Sequence, residues 1–264
     1  MTLFEHSRQN QAKGDAPLAE RMRPVNFGEF VGQEHILGGD RVLRRAMASD
    51  RIPSLILWGP PGSGKTTLAR LIGTVTKAHL ESISAVSSGV ADLRRVISEA
   101  RDRKGMYGHR TILFVDEMHR FNKSQQDVIL PHVEDGTFTF IGATTENPSF
   151  EVNAPLLSRA RVLTLQALTV EQMDMIIQRA VDDEQLGLGK LQVILDADAQ
   201  DHLINIANGD ARVALNALET AAYAVSNGTQ DNKGVPRSID LDTISDALQR
   251  RSPQYDKIGE GHYD

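Results

Sequence analysis

Two short stretches carry residue types whose spacing suits phosphoryl transfer. The first is GPPGSGKT, Gly59 to Thr66, which fits the pattern G-x-x-x-x-G-K-[ST]. In such a loop Gly59, Pro60, Pro61, Gly62, Ser63 and Gly64 turn backbone N–H groups toward a phosphate chain. The helix that follows adds the partial positive charge of its N-terminus. Lys65 is the cation for the β- and γ-phosphates of ATP, Thr66 offers a hydroxyl to Mg2+, and Thr67 completes the nucleotide-binding set. The second stretch is ILFVDE, where an apolar run, Ile112 to Val115, ends on Asp116 and Glu117. Beside a phosphate loop, Asp116 is the acid that holds Mg2+, directly or through water. Glu117 is then the base that orients and polarises an attacking water, which makes hydrolysis the natural chemistry. A solvated pair of acids at a strand end is the alternative, and the phosphate loop speaks against it.

These residues need strands to aim them. SLILW (54–58), LESIS (80–84), ILFV (112–115), FTFIGA (138–143) and RVLTL (161–165) read as five strands. GKTTLARLIGTV and VADLRRVISEARDRK read as helices between them, the second placing Leu93, Ile97 and Ala100 on one face. Strands alternating with helices predict an α/β fold with a parallel sheet covered on both sides. After Ala167 the pattern changes. Thr169 and Gln172 make a capping box before the stripe Met173, Ile176, Ile177, Ala180. Leu203, Ile204 and Ala207 form a second helix stopped at Asn208–Gly209, Asp210 caps a third, and Leu241, Ile244 and Leu248 suggest a fourth. No strand pattern is visible there, so an all-helical second domain is expected. The expected division is a polar tail over 1–16, a nucleotide-binding domain over 17–167, a helical lid over 168–251, and over 252–264 the start of a further region. The polar stretch 226–238 reads as a loop within the helical part.

Composition sets the outer bounds. The chain has 264 residues, 40% hydrophobic and 24% charged, an ordinary soluble balance; aromatics are only 5%, so Leu, Ile, Val and Ala must build the core. There is no cysteine, hence no disulfide and no thiolate zinc site. No apolar run is long enough to span a membrane, and the start lacks the order of a signal peptide, so a cytoplasmic protein is expected. The net charge of −6 confines any nucleic-acid contact to a local basic patch.

The run Asp116–His119, DEMH, is similar to the DExH box of large helicases. Those need two tandem RecA-like domains, and no second phosphate-loop fold follows here. A closer match runs from about Pro17 to the end of the chain. PLAERMRP, FVGQEHILG, ILWGPPGSGKTTLA, DEMHRFNKSQQD and IGATTENPSFEVNAPLLSRARV resemble the replication-associated recombination protein A family of clamp-loader-type AAA+ ATPases. Its eukaryotic counterpart is the Werner-helicase-interacting ATPase. HRFNKSQQD and TTENPSF separate the sequence from the related Holliday-junction motors and clamp-loader subunits.

The resemblance implies a five-stranded P-loop domain with a helical lid. It implies that Val31 and Gly32 lie near adenine and that Thr145 is the first polar sensor of the γ-phosphate, with Asn147 as the alternative. Arg212, in GDAR, resembles the second sensor. Arg159, in LLSRARV, resembles an arginine finger acting in trans on a neighbouring subunit's nucleotide, which makes assembly part of catalysis. DNA forks, ends or gaps are the implied ligands, with nucleoid association, a homo-oligomer and single-strand-binding protein as a further partner. Arg94, Arg95, Arg101, Arg103, Lys104 and Arg110 cluster around one helix and are the local candidates for phosphate contact, with a solvated helix face as the alternative; Arg120 and Lys123 are secondary. His119 and His132 lack metal partners and read as structural or surface. Family members continue into a C-terminal oligomerising region, so this chain is expected to be part of a longer protein. A nucleotide-switched scaffold and a clamp-loader subunit are the competing functions.

Overall fold

The computed structural model describes residues 16–227 and 237–249. The elements run α1 (Leu18–Arg21), α2 (Glu34–Leu37), α3 (Val42–Ala48), β1 (Leu55–Trp58), α4 (Lys65–Val75), β2 (His79–Ser84), α5 (Val90–Tyr107) and β3 (Thr111–Asp116). They continue with α6 (Lys123–Glu134), β4 (Thr139–Thr144), α7 (Pro148–Glu151), α8 (Ala154–Arg159), β5 (Arg161–Thr164) and α9 (Val170–Asp182). The last are β6 (Val193–Leu195), α10 (Ala197–Ala207), α11 (Ala211–Asn227), β7 (Arg237–Ile239) and α12 (Leu241–Gln249). Contacts divide the chain into two compact units, one over Pro24–Ala167 and one joining the first residues, through Arg23, to those from Leu168 onward.

The Pro24–Ala167 unit is built on a five-stranded parallel sheet in the order β2-β3-β4-β1-β5. Every one of the five expected strands is in it. Strand alternation sends Ile56, Leu113, Val115 and Phe140 to one face, under Leu93, Val96 and Ile97 of α5 and Ile129 of α6. Leu55, Leu57, Phe114 and Ile141 face the other way, against Leu68 and Ile72 of α4 and Leu43 and Met47 of α3. Burial on both faces explains why β3 reads as an unbroken apolar run, and each such side chain contributes about 1.5–3 kcal/mol. The same burial makes Asp116 informative: it is the first residue of β3 to reach partial exposure.

The second unit is helical around a core of Met173, Ile177, Leu203, Leu218 and Ile244. Thr169 caps α9 by accepting from Gln172 N at 3.3 Å, and Asn208 ends α10 with φ 45°. Asp210 Oδ1 accepts from Arg212 N at 2.9 Å and Val213 N at 3.1 Å, capping α11. Two expectations need correction. The unit is not all-helical, because β6 and β7 pair in parallel from Val193↔Arg237 to Leu195↔Ile239. Strands of three residues are too short to register as a period. In addition, residues 17–23, expected in the nucleotide-binding domain, pack here. Leu18 is fully buried in this core, its N–H donates to Glu219 Oε2 at 2.9 Å, and Arg21 pairs with Glu219 at 3.3 Å. The expected tail up to residue 15, residues 228–236 of the expected loop, and the region 252–264 lie outside the described residues.

Candidate nucleotide site

The carboxyl ends of β1, β4 and β3 lie side by side, which is where open parallel sheets bind ligands. From β1 the chain passes directly into the glycine loop. Gly59 must lack a side chain, since a Cβ there would meet Leu165 O at 2.4 Å, and Gly62 and Gly64 take the left-handed φ values 69° and 94°. Ser63 Oγ donates to Pro60 O at 2.8 Å and braces the loop. Lys65 opens α4 and is 8% exposed, with Nζ turned back to donate to Gly59 O at 2.9 Å and Pro60 O at 2.8 Å. Its ammonium therefore lies inside the curl of the loop. Pro60 and Pro61 face outward, and Thr67 follows on the first turn of α4.

Thr66 Oγ1 donates to Asp116 Oδ2 at 2.9 Å, tying the loop to the end of β3. The two oxygens form a hard donor set at the mouth of the loop, the kind that suits Mg2+ completed by water and phosphate. Asp116 Oδ1 accepts from Glu117 N at 3.1 Å, and Glu117 has φ 55°, a left-handed conformation that costs a residue with a Cβ about 1–2 kcal/mol. The turn points Glu117 out of the strand and leads into a single 3-10 turn over Met118–Arg120.

Two polar residues join this group that the expected site did not contain. His119, only 10% exposed, places Nε2 3.3 Å from Glu117 Oε2 and Nδ1 3.1 Å from Thr144 Oγ1. Gln33, 4% exposed, donates through Nε2 to Gln166 O at 2.8 Å and Ser63 O at 3.3 Å and accepts from Gln166 N at 2.9 Å. Gln33 thus docks the segment of Val31 and Gly32, where Gly32 has φ 82°, onto the phosphate loop. Phe30 packs beside it, close enough that a Cβ on Gly64 would meet its ring at 3.0 Å. A polar residue bracketed by Phe30, Val31 and Ile36 is the one hint the sequence carries for Gln33.

Thr145 follows Thr144 at the end of β4 and is partly exposed, whereas Asn147 caps α7 by accepting from Ser149 N at 3.0 Å. Arg159 lies apart from the loop at the end of α8, where Nε is ion-paired with Glu134 Oε1 at 2.6 Å and a terminal nitrogen donates to Pro155 O at 2.8 Å. Arg212 is exposed on the first turn of α11, in the helical unit. Most of the basic cluster is engaged. Arg95 and Arg103 pair with Glu99 at 2.9 and 3.0 Å, Lys104 donates to Gly136 O at 2.7 Å, and Arg101 lies 3.4 Å from His132 Nδ1. Arg110 is ion-paired with Asp50. Arg94 has no such partner among the described residues. Among those residues no group of three or more His, Asp or Glu forms a metal site, and no helix is long and apolar enough to cross a membrane.

The chain matches two family models: the ATPase family associated with various cellular activities (AAA) over residues 55–168, and the AAA C-terminal domain over 189–264. It is 47% identical over 248 residues to replication-associated recombination protein A of Haemophilus influenzae, and equally to that of Escherichia coli K12. Each alignment takes in 94% of this chain and 54% of the relative, so the chain spans about half the length of these curated relatives. It is 43% identical over 263 residues to ATPase WRNIP1 of Dictyostelium discoideum, covering 96% of this chain and 30% of that protein. Among solved structures, the Thermotoga maritima RuvB Holliday junction branch migration motor superposes with a TM-score of 0.68 at 25% identity, over 87% of this chain and 73% of that one.

Proposed function

Because the chain belongs to the replication-associated recombination protein A family of AAA+ ATPases, we propose that it hydrolyses ATP to ADP and phosphate in a DNA transaction of replication-fork maintenance or recombination. The observation that carries the reading is the 2.9 Å hydrogen bond from Thr66 to Asp116, with Glu117 the next residue. It brings the loop, a magnesium-competent oxygen pair and a base to one point.

In this reading the loop N–H groups and Lys65 bind the β- and γ-phosphates, while Val31 and Gly32, docked by Gln33, flank the adenine. Thr66 and Asp116 hold Mg2+, which neutralises charge on the phosphate oxygens. Glu117 accepts a proton from the water that attacks the γ-phosphorus, and Thr145 orients that water or the γ-phosphate. Thr145 is preferred to Asn147 because the Asn147 oxygen is already used in its cap. Arg159 acts on the nucleotide of a neighbouring copy, and Arg212 reports nucleotide state to the helical unit. Such a finger is worth roughly 10³–10⁵ in rate, or about 4–7 kcal/mol. DNA contact falls first to exposed cations such as Arg94, Arg120 and Lys123, while Arg95 and Arg103 would first have to give up Glu99, at the small cost of exposed pairs.

Steady-state ATP hydrolysis over a wide protein-concentration series, with and without forked DNA, tests the reading. Specific activity that climbs with concentration and again with DNA supports it. Substantial activity that stays flat on dilution removes the trans finger, and retention of activity in Glu117→Gln removes the base.

A further inference from the structure

We propose that His119 is the positioning residue for Glu117, holding its carboxylate through one ring nitrogen and coupling it to the end of β4 through the other. The proposal rests on the hydrolytic reading above, since Glu117 is the base in that reading. Glu117 is 42% exposed and could sample many rotamers, whereas the His119 side chain is only 10% exposed, with Nδ1 within hydrogen-bond distance of Thr144 Oγ1 at 3.1 Å and Nε2 facing Glu117 Oε2 at 3.3 Å. The turn that carries the imidazole is itself seated on β4. Met118 fills the space over Gly142, where a Cβ would lie 2.4 Å from its sulfur, and Gly142 and Thr144 are alternate residues on one face of β4. The whole 3-10 turn is thus seated on β4, with Met118 on residue 142 and His119 on residue 144.

The hydrogen-bond inventory makes the bridge a two-ended device. Thr144 has one hydroxyl proton, and its oxygen lies 3.1 Å from His119 Nδ1 and 3.3 Å from Glu146 O while accepting from Glu146 N at 3.0 Å. The ring that faces Glu117 through Nε2 thus shares, through Nδ1, the hydroxyl that also faces Glu146, which ties the position of the base to the backbone on either side of Thr145.

The test compares His119→Ala and His119→Gln in the full chain, with kcat, KM and the affinity for a fluorescent ATP analogue measured for each. The expected result is a fall in kcat of about tenfold or more in His119→Ala, with KM and analogue affinity within about twofold. His119→Gln, whose amide N–H can reach Glu117, should recover most of kcat. An unchanged kcat in His119→Ala, a rise in KM that matches the loss, or Gln performing no better than Ala overturns the proposal. Nitrogen NMR of the His119 ring separates this from failure of the hydrolytic reading. The Nε2 resonance should shift in Glu117→Gln and the Nδ1 resonance in Thr144→Val. Absence of either shift overturns the bridge even in a chain that hydrolyses nothing, while both shifts in such a chain leave the bridge standing and remove the hydrolytic reading alone.

Discussion

Arg159 is ion-paired through Nε with Glu134 Oε1 at 2.6 Å, joining the last residue of α8 to the last residue of α6. Both side chains are more than two-fifths exposed, at 42% and 44%, so the pair is worth no more than about 1 kcal/mol. In the proposed trans arrangement a triphosphate on a neighbouring copy would be the stronger anion and would take the guanidinium at small cost. Arg159→Ala should lower kcat by roughly 10³ at high protein concentration while nucleotide affinity is retained. Glu134→Gln should leave the melting temperature nearly unchanged and move the rise of specific activity to lower protein concentration. Enzyme-dilution kinetics on the two variants check both outcomes.

Gln33→Ala removes three hydrogen bonds that span 133 residues to Gln166 and 30 to Ser63. Polar groups left without partners cost about 1–3 kcal/mol, which corresponds to a loss of roughly 2–8 °C in melting temperature. Because Gln33 positions the Val31–Gly32 segment, KM for ATP should rise several-fold while kcat stays near that of the parent. Thermal melts with steady-state kinetics read both.

Gly142→Ala puts a methyl group 2.4 Å from the Met118 sulfur and 3.0 Å from the Phe140 ring. Both neighbours are buried, so overpacking should cost about 1–3 kcal/mol. The displacement is passed to the turn that carries Glu117 and His119, so kcat should fall more than KM changes. A variant as stable and as active as the parent would show that Met118 moves aside freely.

Asp183 lies at the end of α9, where Oδ1 accepts from Gln185 N at 2.7 Å and Leu186 N at 2.8 Å. These bonds favour the carboxylate and hold its pKa below the ordinary value, Leu186 N–H contributing most. A folded pKa below the unfolded one, near 3.9, means the stabilisation is complete above that value and is lost as pH falls through the folded pKa. Denaturant unfolding followed between pH 6 and about 2 should therefore show a loss on the acid side that is smaller in Asp183→Asn.

The sheet and the phosphate loop were legible because their signals are local. Each strand of the five is a short apolar run, and the loop is contiguous from Gly59 to Thr66. What escaped depends on neighbours that strand order alone supplies. His119 reads as a surface or structural residue until β4 is known to lie beside β3, which brings Thr144, 25 residues on, to its ring. Gln33 is silent for the same reason. The arginines of α5 are the reverse case: their number allowed either a phosphate-binding patch or a solvated face, and the ion pairs of Glu99 with Arg95 and Arg103, with backbone carbonyls taking Lys104, depend on rotamers that spacing alone does not set. The strands β6 and β7 carry too few residues for any period to emerge.

The helical unit takes its first residues from one side of the nucleotide-binding unit and the rest from the other. On a ribosome, α1 emerges before any of the helices that bury Leu18. At about 5–20 residues per second it waits on the order of ten seconds or more for α11 and α12. The Pro24–Ala167 unit is contiguous, so all of it has been synthesised before that interval ends. Vectorial synthesis thus orders the two units, the nucleotide binder first and the helical unit after it. An early stop in translation before α11 leaves a phosphate loop joined to Leu18 and Met22 without much of the core that buries them, a natural target for chaperones.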